Sequence, residues 1–309
     1  MIQPVQERLM GSQYCSYRVG GPLDEPYLPK TLPEAIDVLT MVREKQRPLT
    51  VLGGGSNTIV ASQGIRGVTF LCKRLMFVEL VDALRFQIGA GMPLAKVCKL
   101  AQDHHLSGAE FMIGVPGTLG GAITMNAGAM GQETAEILEH AILFNMESGE
   151  IEHWPHEQLQ FSYRKSAIQP QKMIILGAQL RLQPGNAKEI ADLIQKSLTF
   201  RQKHHPKDPN GGSVFKNPLP DHPSGRLLDE LGAKGWREEG AMISPMHANF
   251  IVNIDNATST DILRLMLRMK RAIREHYNLE VFPENRFLGD ATEEEITIWE
   301  ELTGHADSH

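Results

Sequence analysis

The chain has 309 residues, of which 41% are hydrophobic and 22% are charged, and its formal net charge is −6. This composition is that of an ordinary globular protein and excludes a disordered or fibrous chain. The basic residues are scattered along the sequence, which argues against a nucleic-acid surface and favours a small-molecule partner. Domains usually hold roughly 100–150 residues, so the length predicts two or three of them.

The cysteines and the N-terminus bear on the cellular compartment. Cys15, Cys72 and Cys98 form an odd set without C-x-x-C spacing, which favours buried, reduced thiols over disulfides or a zinc knuckle. The N-terminal residues MIQPVQERLMGSQ lack the apolar run of a signal peptide, and no stretch is apolar enough to insert into a membrane. We therefore expect a cytoplasmic protein, without membrane insertion and without a stable protein partner.

Helix-like and strand-like segments alternate in the first third of the chain. The capping box Thr31-Leu-Pro-Glu34 predicts the start of a helix, and Pro93 predicts the start of another. Strands are predicted over residues 48–52, 68–72 and 84–88. The helix residues expected to face inward are Ala35, Val38, Leu39 and Val42, then Leu94, Val97 and Ala101. We place a first domain boundary near residue 75.

The remainder of the chain predicts an α+β organisation. Residues 137–146 and 173–182 are strand-like, and the second run alternates apolar and polar side chains. A helix over residues 187–204 precedes HHPKDPNGG, where proline and glycine forbid regular structure, so we place the second boundary there. The residues of this helix expected to face inward are Ile190, Leu193, Ile194 and Leu198.

The last segment contains a long predicted helix and an acidic tail. The helix covers residues 258–277 and is capped by Thr258 and Asp261. Its inward stripe is Ile262, Leu265, Met266, Met269 and Ile273. The tail EEEITIWEEL is typical of a solvated helix, and we assign it no function. The predicted domains are thus residues 1–75, 76–203 and 204–309.

Two glycine-rich loops carry the first indication of function. The run Val-Leu-Gly-Gly-Gly-Ser-Asn at residues 51–57 lets consecutive backbone N–H groups turn toward an anion, so it predicts a phosphate cradle. A tight turn that requires a positive φ explains this run equally well. The loop at residues 114–122, followed by Met-Asn-Ala-Gly-Ala at 125–129, provides a second cradle. Two cradles suit one ligand that contains a diphosphate.

The sequence does not indicate several common kinds of ligand site. Neither loop has the G-x-G-x-x-G pattern with a downstream acidic residue, and no G-x-x-x-x-G-K-[ST] occurs, so Rossmann and P-loop sites are not indicated. The histidine pairs lie in different predicted segments, without cysteine or carboxylate at ligand spacing, so we predict no metal site. These pairs are His104-His105, His153-x-x-His156 and His204-His205.

Six sequence blocks, taken together, resemble the MurB family of UDP-N-acetylenolpyruvoylglucosamine reductases. In chain order they are RVGGP at residues 18–22, LGGGSN at 52–57, GVPGTLGGA with MNAGA at 114–129, YRKS at 163–166, GSVFKNP at 212–218 and HANFIVN at 247–253. The resemblance spans about residues 14–289. Six blocks in the family's order are far more specific than one short motif.

The resemblance implies a fold and an activity. The first two domains would form the two-part FAD-binding fold of the vanillyl-alcohol-oxidase (PCMH) type, and the third would be an α+β substrate domain. FAD would be the cofactor and NADPH the electron donor. The substrate would be the enolpyruvyl ether of UDP-N-acetylglucosamine, reduced to UDP-N-acetylmuramate for peptidoglycan synthesis. Flavin N5 would deliver hydride to the terminal enolpyruvyl carbon, while a protein acid protonates the neighbouring carbon.

The resemblance also implies roles for individual residues. Arg164 would stabilise the enolate, Ser213 would donate the proton, and Glu284 would assist both. The residues expected to bind FAD are Gly53, Gly54, Gly55, Ser56, Asn57, Val115, Pro116, Gly117, Thr118, Gly120, Gly121, Ala122, Asn126 and Gly128. The residues expected to bind the UDP-sugar substrate are Tyr163, Lys216, Asn217, Arg226 and Asn249. Without the resemblance, Ser213 resembles a serine that caps a loop.

The chain departs from the family pattern around Glu284. The family usually has L-E-x-E-V, whereas this chain has Val281-Phe-Pro-Glu-Asn285. Two rival functions follow: an oxidase of the same fold that uses oxygen, and a non-catalytic flavin-binding protein in which Phe282 and Asn285 mark a decayed site. The short interval between Arg164 and Ser213 resembles the shorter-looped (type II) branch, so we expect no tyrosine-bearing lid within residues 165–212.

Overall fold

The computed structural model describes residues 2–304, and this part of the chain divides into two units. The first unit comprises the chain up to Gln6, Glu25–Gly54 and Gly67–Lys203. The second comprises Glu7–Asp24, Gly55–Arg66 and the chain from His204 onward. Two short N-terminal segments thus belong with the C-terminal part, an arrangement that the sequence did not indicate. The division into three domains stays a prediction.

The described residues contain helices and strands in mixed order. The helices are α1 Leu32–Glu44, α2 Leu94–Asp103, α3 Leu119–Met125, α4 Ala187–His204, α5 Ser224–Glu230, α6 Ser259–Tyr277 and α7 Glu293–Thr303. The strands are β1 Leu23–Tyr27, β2 Leu49–Leu52, β3 Thr58–Val60, β4 Ile65–Leu71, β5 Val78–Asp82, β6 Arg85–Gly89, β7 Leu106–Ser107, β8 Gly128–Ala129, β9 Gln132–Glu133, β10 Leu138–Asn145, β11 Ile151–Pro155, β12 Met173–Arg181, β13 Gln183–Pro184, β14 Arg237–Glu238, β15 Ala241–Ile243, β16 Ile251–Asn253 and β17 Arg286–Leu288.

A five-stranded antiparallel sheet, in the order β11-β10-β12-β6-β5, separates two hydrophobic cores in the first unit. Leu143 and Ile175 contribute to the core that contains α2 and α3. Phe144 and Ile174 contribute to the other core, with α1 and β4. Successive residues of a strand point to opposite faces of the sheet. Because each face of this sheet covers a core, β12 must be apolar on both faces. The alternation predicted for residues 173–182 was therefore wrong at its start: it begins only at Gln179.

The predicted helices of the first unit are confirmed, with one correction to the inward faces. In α1, the Thr31 hydroxyl accepts a hydrogen bond from the Glu34 N–H at 3.3 Å, and the four residues predicted to be buried are buried. Helix α4 has the predicted bounds, but Leu193 is 46% exposed and Leu198 is only half-buried. The buried residues of α4 are Ile190 and Ser197, because the helix contacts the core along a narrower stripe than its apolar residues suggest.

In the second unit, α6 packs against the sheet β14-β15-β16 and against α7. The capping box of α6 is confirmed: the Thr258 N–H donates to the Asp261 carboxylate at 2.8 Å, and the Asp261 N–H donates to the Thr258 hydroxyl at 3.2 Å. The predicted inward stripe of α6 is buried. The cysteines are free and buried as predicted, and burial raises the pKa of Cys72 and of Cys98 to about 11.

The acidic tail is not a simple solvated helix. Glu295 of α7 is fully buried, and its carboxylate accepts hydrogen bonds from the Ser62 hydroxyl at 2.9 Å, from the Thr292 N–H at 2.9 Å and from the Ser259 hydroxyl. Burial alone would raise the pKa of Glu295, but these hydrogen bonds together lower it below its ordinary value. The amine of Lys270, also buried, donates to the Leu302 carbonyl at 2.9 Å. Both contacts fix α7 to the second unit.

Glu295→Gln should destabilise the protein by about 1–3 kcal/mol. The NH2 group of glutamine cannot accept a hydrogen bond, so at least one of the buried groups that now donate to the carboxylate would lose its acceptor. Glu294→Gln is the matched control, since Glu294 pairs with Arg264 at the surface and such pairs contribute below about 1 kcal/mol. Urea unfolding measures both. The stability that ionised Glu295 adds is present above the ordinary carboxyl pKa and is lost as the pH falls through the lowered value, so the deficit should shrink in acid. Equal losses in both variants would contradict a special role for Glu295.

Within residues 2–304, no helix is both long and apolar enough to cross a bilayer. In the same part of the chain, no group of three or more histidine, cysteine, aspartate or glutamate side chains is placed to hold a metal ion.

Candidate active site

The two glycine loops meet in the first unit. A Cβ atom built on Gly54 would lie 2.9 Å from the Cα of Gly117, and one built on Gly53 would lie 2.8 Å from the Thr118 hydroxyl oxygen. Both distances are shorter than real side chains tolerate, so glycine is required for the loops to approach this closely. The first loop follows β2, and the second leads into α3. Two segments that are distant in sequence therefore form one glycine-lined surface.

The tight-turn explanation applies to one glycine of the first run. Gly55 has a φ of +62°, and its Cβ would lie 2.0 Å from the Tyr14 carbonyl oxygen, so this position needs glycine for the turn itself. Gly54 does not have a positive φ. The close contact with Gly117 is thus what demands glycine at Gly54, and the two explanations apply to different residues.

The glycine-lined surface fits a diphosphate. Gly54 and Gly121 are both exposed, and a Cβ on Gly121 would meet nothing nearer than the Thr118 hydroxyl at 3.8 Å. At these two positions the backbone is bare of side chains, which suits recognition of an anion by main-chain dipoles. Gly120 and Gly128 have packing explanations instead: their Cβ atoms would lie 3.0 Å from the Ala90 side chain and 2.4 Å from the Gln132 carbonyl oxygen.

Gly121→Ala should weaken FAD binding by roughly tenfold, or about 1.4 kcal/mol, because the methyl group would occupy the ligand's side of the surface. The apoprotein should be as stable as the wild type or more so, since the site is open and alanine favours a helix. FAD titration and thermal unfolding of the apoprotein measure the two effects. In contrast, Gly54→Val should lower both affinity and apoprotein stability. Unchanged FAD affinity in Gly121→Ala would contradict a cofactor at this surface.

Arg164 lies at the tip of a two-residue turn in the first unit. The main chains of Ser162 and Lys165 exchange two hydrogen bonds, of 3.0 and 3.1 Å, which close the turn around Tyr163 and Arg164. Arg164 has a φ of +57°, and its guanidinium carbon lies 5.0 Å from the centre of the Tyr163 ring. The predicted substrate residue and the predicted catalytic arginine are therefore presented together.

Helix α3 connects this turn to the glycine loops. The amide of Asn126, at the end of α3, donates to the Ser162 carbonyl at 3.2 Å, and the Ser166 hydroxyl donates to the Thr124 carbonyl at 2.9 Å. The α3 helix of seven residues is about 10 Å long, with Gly117 before its start and the anchored turn at its end. Asn126 itself is buried and also bonds Glu133 and Ala135, so its side chain holds the turn.

Ser213 and Glu284 are brought together in the second unit. The Glu284 N–H donates to the Val214 carbonyl at 2.8 Å, and the Lys216 N–H donates to the Phe282 carbonyl at 3.0 Å. These bonds form an antiparallel bridge centred on Phe215 and Pro283. Ser213 and Glu284 thus stand at the same end of two paired segments, and both are half-buried.

The predicted substrate residues of the second unit differ in their surroundings. Asn249 is buried, and its amide both donates to and accepts from the main chain of Phe215, which makes it a support for the Ser213 segment. The Asn217 side chain accepts from the Ser224 N–H at 3.1 Å, at the start of α5. Arg226 is exposed on α5 and pairs with Glu230 at 2.7 Å. Their contact with substrate stays a prediction.

Sequence reasoning missed the part played by Asn57, Asn285 and Tyr17. The Asn57 amide, expected at the cofactor, donates to the Glu284 carbonyl at 2.9 Å and accepts from the Asn285 amide at 2.8 Å. Tyr17 is fully buried and donates its hydroxyl to Asn285 at 3.0 Å. The signal was present in the departure from the family pattern at residue 285, which we connected with loss of function.

Two family models match the chain. One, an FAD binding domain, covers residues 27–153, and the other, the C-terminal domain of UDP-N-acetylenolpyruvoylglucosamine reductase, covers residues 204–288. The UDP-N-acetylenolpyruvoylglucosamine reductase of a Synechocystis species is 38% identical over 291 residues, which is 93% of this chain and 91% of the relative. That of Bacillus subtilis is 36% identical over 301 residues, 94% of this chain and 98% of the relative.

A solved structure agrees with the sequence relatives. The crystal structure of the UDP-N-acetylenolpyruvylglucosamine reductase (MurB) from Thermus caldophilus superposes with a TM-score of 0.78 at 34% identity, covering 91% of this chain and 98% of that one. The predicted fold class, an FAD-binding fold followed by a C-terminal α+β domain, is confirmed.

Proposed function

The chain belongs to the UDP-N-acetylenolpyruvoylglucosamine reductase (MurB) family, and on that premise we propose how its own residues perform the reaction. The protein is an FAD-containing, NADPH-dependent oxidoreductase of peptidoglycan precursor synthesis. It reduces the enolpyruvyl ether of UDP-N-acetylglucosamine to UDP-N-acetylmuramate. The observation that carries the catalytic assignment is the pairing of the Ser213 and Glu284 segments through the Glu284 N–H and the Val214 carbonyl.

The glycine surface of the first unit would hold the FAD diphosphate. Gly54 and Gly121 expose bare backbone there, and main-chain N–H groups bind an anion without ordering a long cationic side chain. When bound, FAD supplies the chemistry of taking a hydride from NADPH and passing it to the terminal carbon of the enolpyruvyl group.

The protein groups would then act on the charge and the proton. Addition of hydride to the double bond moves negative charge toward the substrate carboxylate, and the Arg164 guanidinium would stabilise it there. The Ser213 hydroxyl would protonate the neighbouring carbon, so that the product gains one hydride and one proton. Glu284, held beside the serine segment, would support both groups.

We also propose the remaining assignments for this chain. The UDP-sugar would be bound by Tyr163, Lys216, Asn217 and Arg226. The three cysteines are free thiols, which fits the reducing environment of the cytoplasm. Residues 165–212 contain only β12, β13 and α4 within the described chain, which supports the shorter-looped (type II) branch. The absence of a closure in this interval when ligand binds stays a prediction.

Anaerobic mixing of the purified protein with NADPH and the enolpyruvyl sugar nucleotide tests the proposal. We expect NADPH oxidation and formation of UDP-N-acetylmuramate in equal amounts without oxygen. An oxidase would instead require oxygen to reoxidise its flavin, and a non-catalytic homologue would bind FAD but give no product. Either of these results would overturn the proposed function.

A further inference from the structure

Asn285 stands where the family usually has valine, and it is nevertheless buried, with 3% of its surface exposed. Its carbonyl oxygen accepts a hydrogen bond from the Tyr17 hydroxyl at 3.0 Å. Its amide nitrogen lies 2.8 Å from the side-chain oxygen of Asn57. The same nitrogen lies 2.8 Å from the main-chain oxygen of Gly211 and 3.4 Å from that of Ser213. A buried primary amide is costly unless its polar atoms have partners, and here both have them.

The Tyr17 side chain completes this cluster. A Cβ built on Gly211 would lie 2.1 Å from the Tyr17 ring, so the ring packs directly on the main chain of the serine loop. The hydroxyl of a fully buried tyrosine needs partners: it donates to Asn285, and it also bonds the main chain of Gly211. Valine at residue 285 would leave the Tyr17 hydroxyl and the Asn57 side-chain oxygen without these bonds. The departure from the family pattern is thus part of a complete hydrogen-bond network.

The network acts on the loop that carries the proposed proton donor. Gly212 has a φ of +77°, and its Cβ would meet no atom within 4 Å, so packing at Gly212 does not fix the loop. Besides the Tyr17 ring at Gly211, hydrogen bonds hold the loop: the Gly212 N–H donates to the Asn210 side chain at 2.9 Å, and the Asn285 amide donates to the Gly211 carbonyl at 2.8 Å, with a weaker contact to the Ser213 carbonyl at 3.4 Å. Asn285 also follows Glu284 directly in the chain. One side chain therefore ties the serine loop to the segment that bears the carboxylate.

We propose that Asn285 is a positioning residue for protonation: its amide fixes the Ser213 loop against the Glu284 segment. This inference rests on the roles proposed above for Ser213 and Glu284. The residue does not touch the reacting atoms in this scheme, and it acts through the serine. A misplacement of a catalytic group by about 1 Å can slow a reaction by 10²-fold, so loss of this restraint should be visible in the rate.

Asn285→Val tests the proposal in the holoenzyme. Reoxidation by the enolpyruvyl substrate should slow by about tenfold to a hundredfold, with a larger solvent isotope effect, because proton transfer becomes more limiting. Reduction by NADPH should stay unchanged when both half-reactions are measured on FAD-loaded enzyme. Tyr17→Phe, which removes only the hydroxyl, should show the same effect in weaker form and serves if the valine variant does not fold. Ser259→Ala is the control: it removes a buried hydroxyl that bonds Glu295 in the same unit and makes no bond to the Asn285 cluster, so it should lower the melting temperature without separating the half-reactions.

A double-mutant cycle separates positioning from general support. If Asn285 acts through the serine, Asn285→Val should cause no further loss of reoxidation rate in a Ser213→Ala background. Additive losses in the cycle, or equal slowing of both half-reactions, would overturn the proposal. Failure of the proposed function is a separate result, because the wild-type protein itself would then give no UDP-N-acetylmuramate.

Discussion

Ser213→Ala should slow reoxidation of the reduced enzyme by the enolpyruvyl substrate by about 10²–10⁴-fold, while reduction by NADPH stays nearly unchanged. The hydroxyl is needed only when the substrate carbon accepts a proton, and this event belongs to one half-reaction. The expected loss corresponds to roughly 3–5 kcal/mol of activation free energy. Anaerobic stopped-flow absorbance of the flavin measures each half-reaction separately.

The alternative for Ser213 is a serine that only caps a loop. Ser244 is such a serine, since it is buried and its hydroxyl accepts from the Met246 N–H at 3.1 Å. Ser244→Ala should therefore lower stability without separating the half-reactions. Ser213→Cys keeps a proton to donate and should retain more activity than alanine. If alanine at residue 213 slows both half-reactions equally, or neither, the proton comes from elsewhere, and Glu284 is the next candidate.

Helices with local signals could be predicted from the sequence. The capping residue and the apolar stripe of α1 and of α6 lie within the helix itself, so Thr31 and Thr258 marked where these helices begin. Leu193 in α4 shows the limit of this reasoning. An apolar residue at helical spacing becomes buried only if another segment covers it, and the sequence does not say which segment does.

The acidic tail shows the same limit for a charged residue that is buried. Three consecutive glutamates at the start of α7 suggested a solvated surface. The carboxylate of Glu295 nevertheless accepts hydrogen bonds from the hydroxyls of Ser62 and Ser259, which are far away in sequence. Charge patterning describes a segment in isolation. Burial of a carboxylate depends on the donors that the fold assembles around it, and such donors cannot be read from the segment.

The candidate site was predictable at the level of segments but not of single roles. The glycine runs indicated where the backbone must be bare, whereas only the structure distinguishes the turn at Gly55 from the loop contact at Gly54. The departure of Asn285 from the expected family pattern suggested loss of function, because its partners Tyr17 and Asn57 are distant in sequence. A polar substitution can be judged only when its hydrogen bonds are known.

Arg164→Met should slow reoxidation by the enolpyruvyl substrate by about 10²–10³-fold, because it removes the cation proposed to stabilise the developing negative charge. Arg164→Lys keeps the charge but loses the planar fork of donors, so its rate should fall between those of methionine and the wild type. Methionine and lysine would both adopt the positive φ of Arg164, so the conformational strain of the backbone is the same in the two variants. Reduction by NADPH should not change in either variant.

Lys165→Met is the control for this arginine, because Lys165 is the next residue of the same turn and is exposed to solvent. Solvent and salt screen an exposed charge, so its loss should hardly affect the rate of reoxidation. A comparable loss in Lys165→Met and Arg164→Met would mean that the general positive field of the turn, rather than the guanidinium, assists the reaction. A rate for Arg164→Lys equal to that of the wild type would show that charge alone suffices and that the geometry of the donors does not matter.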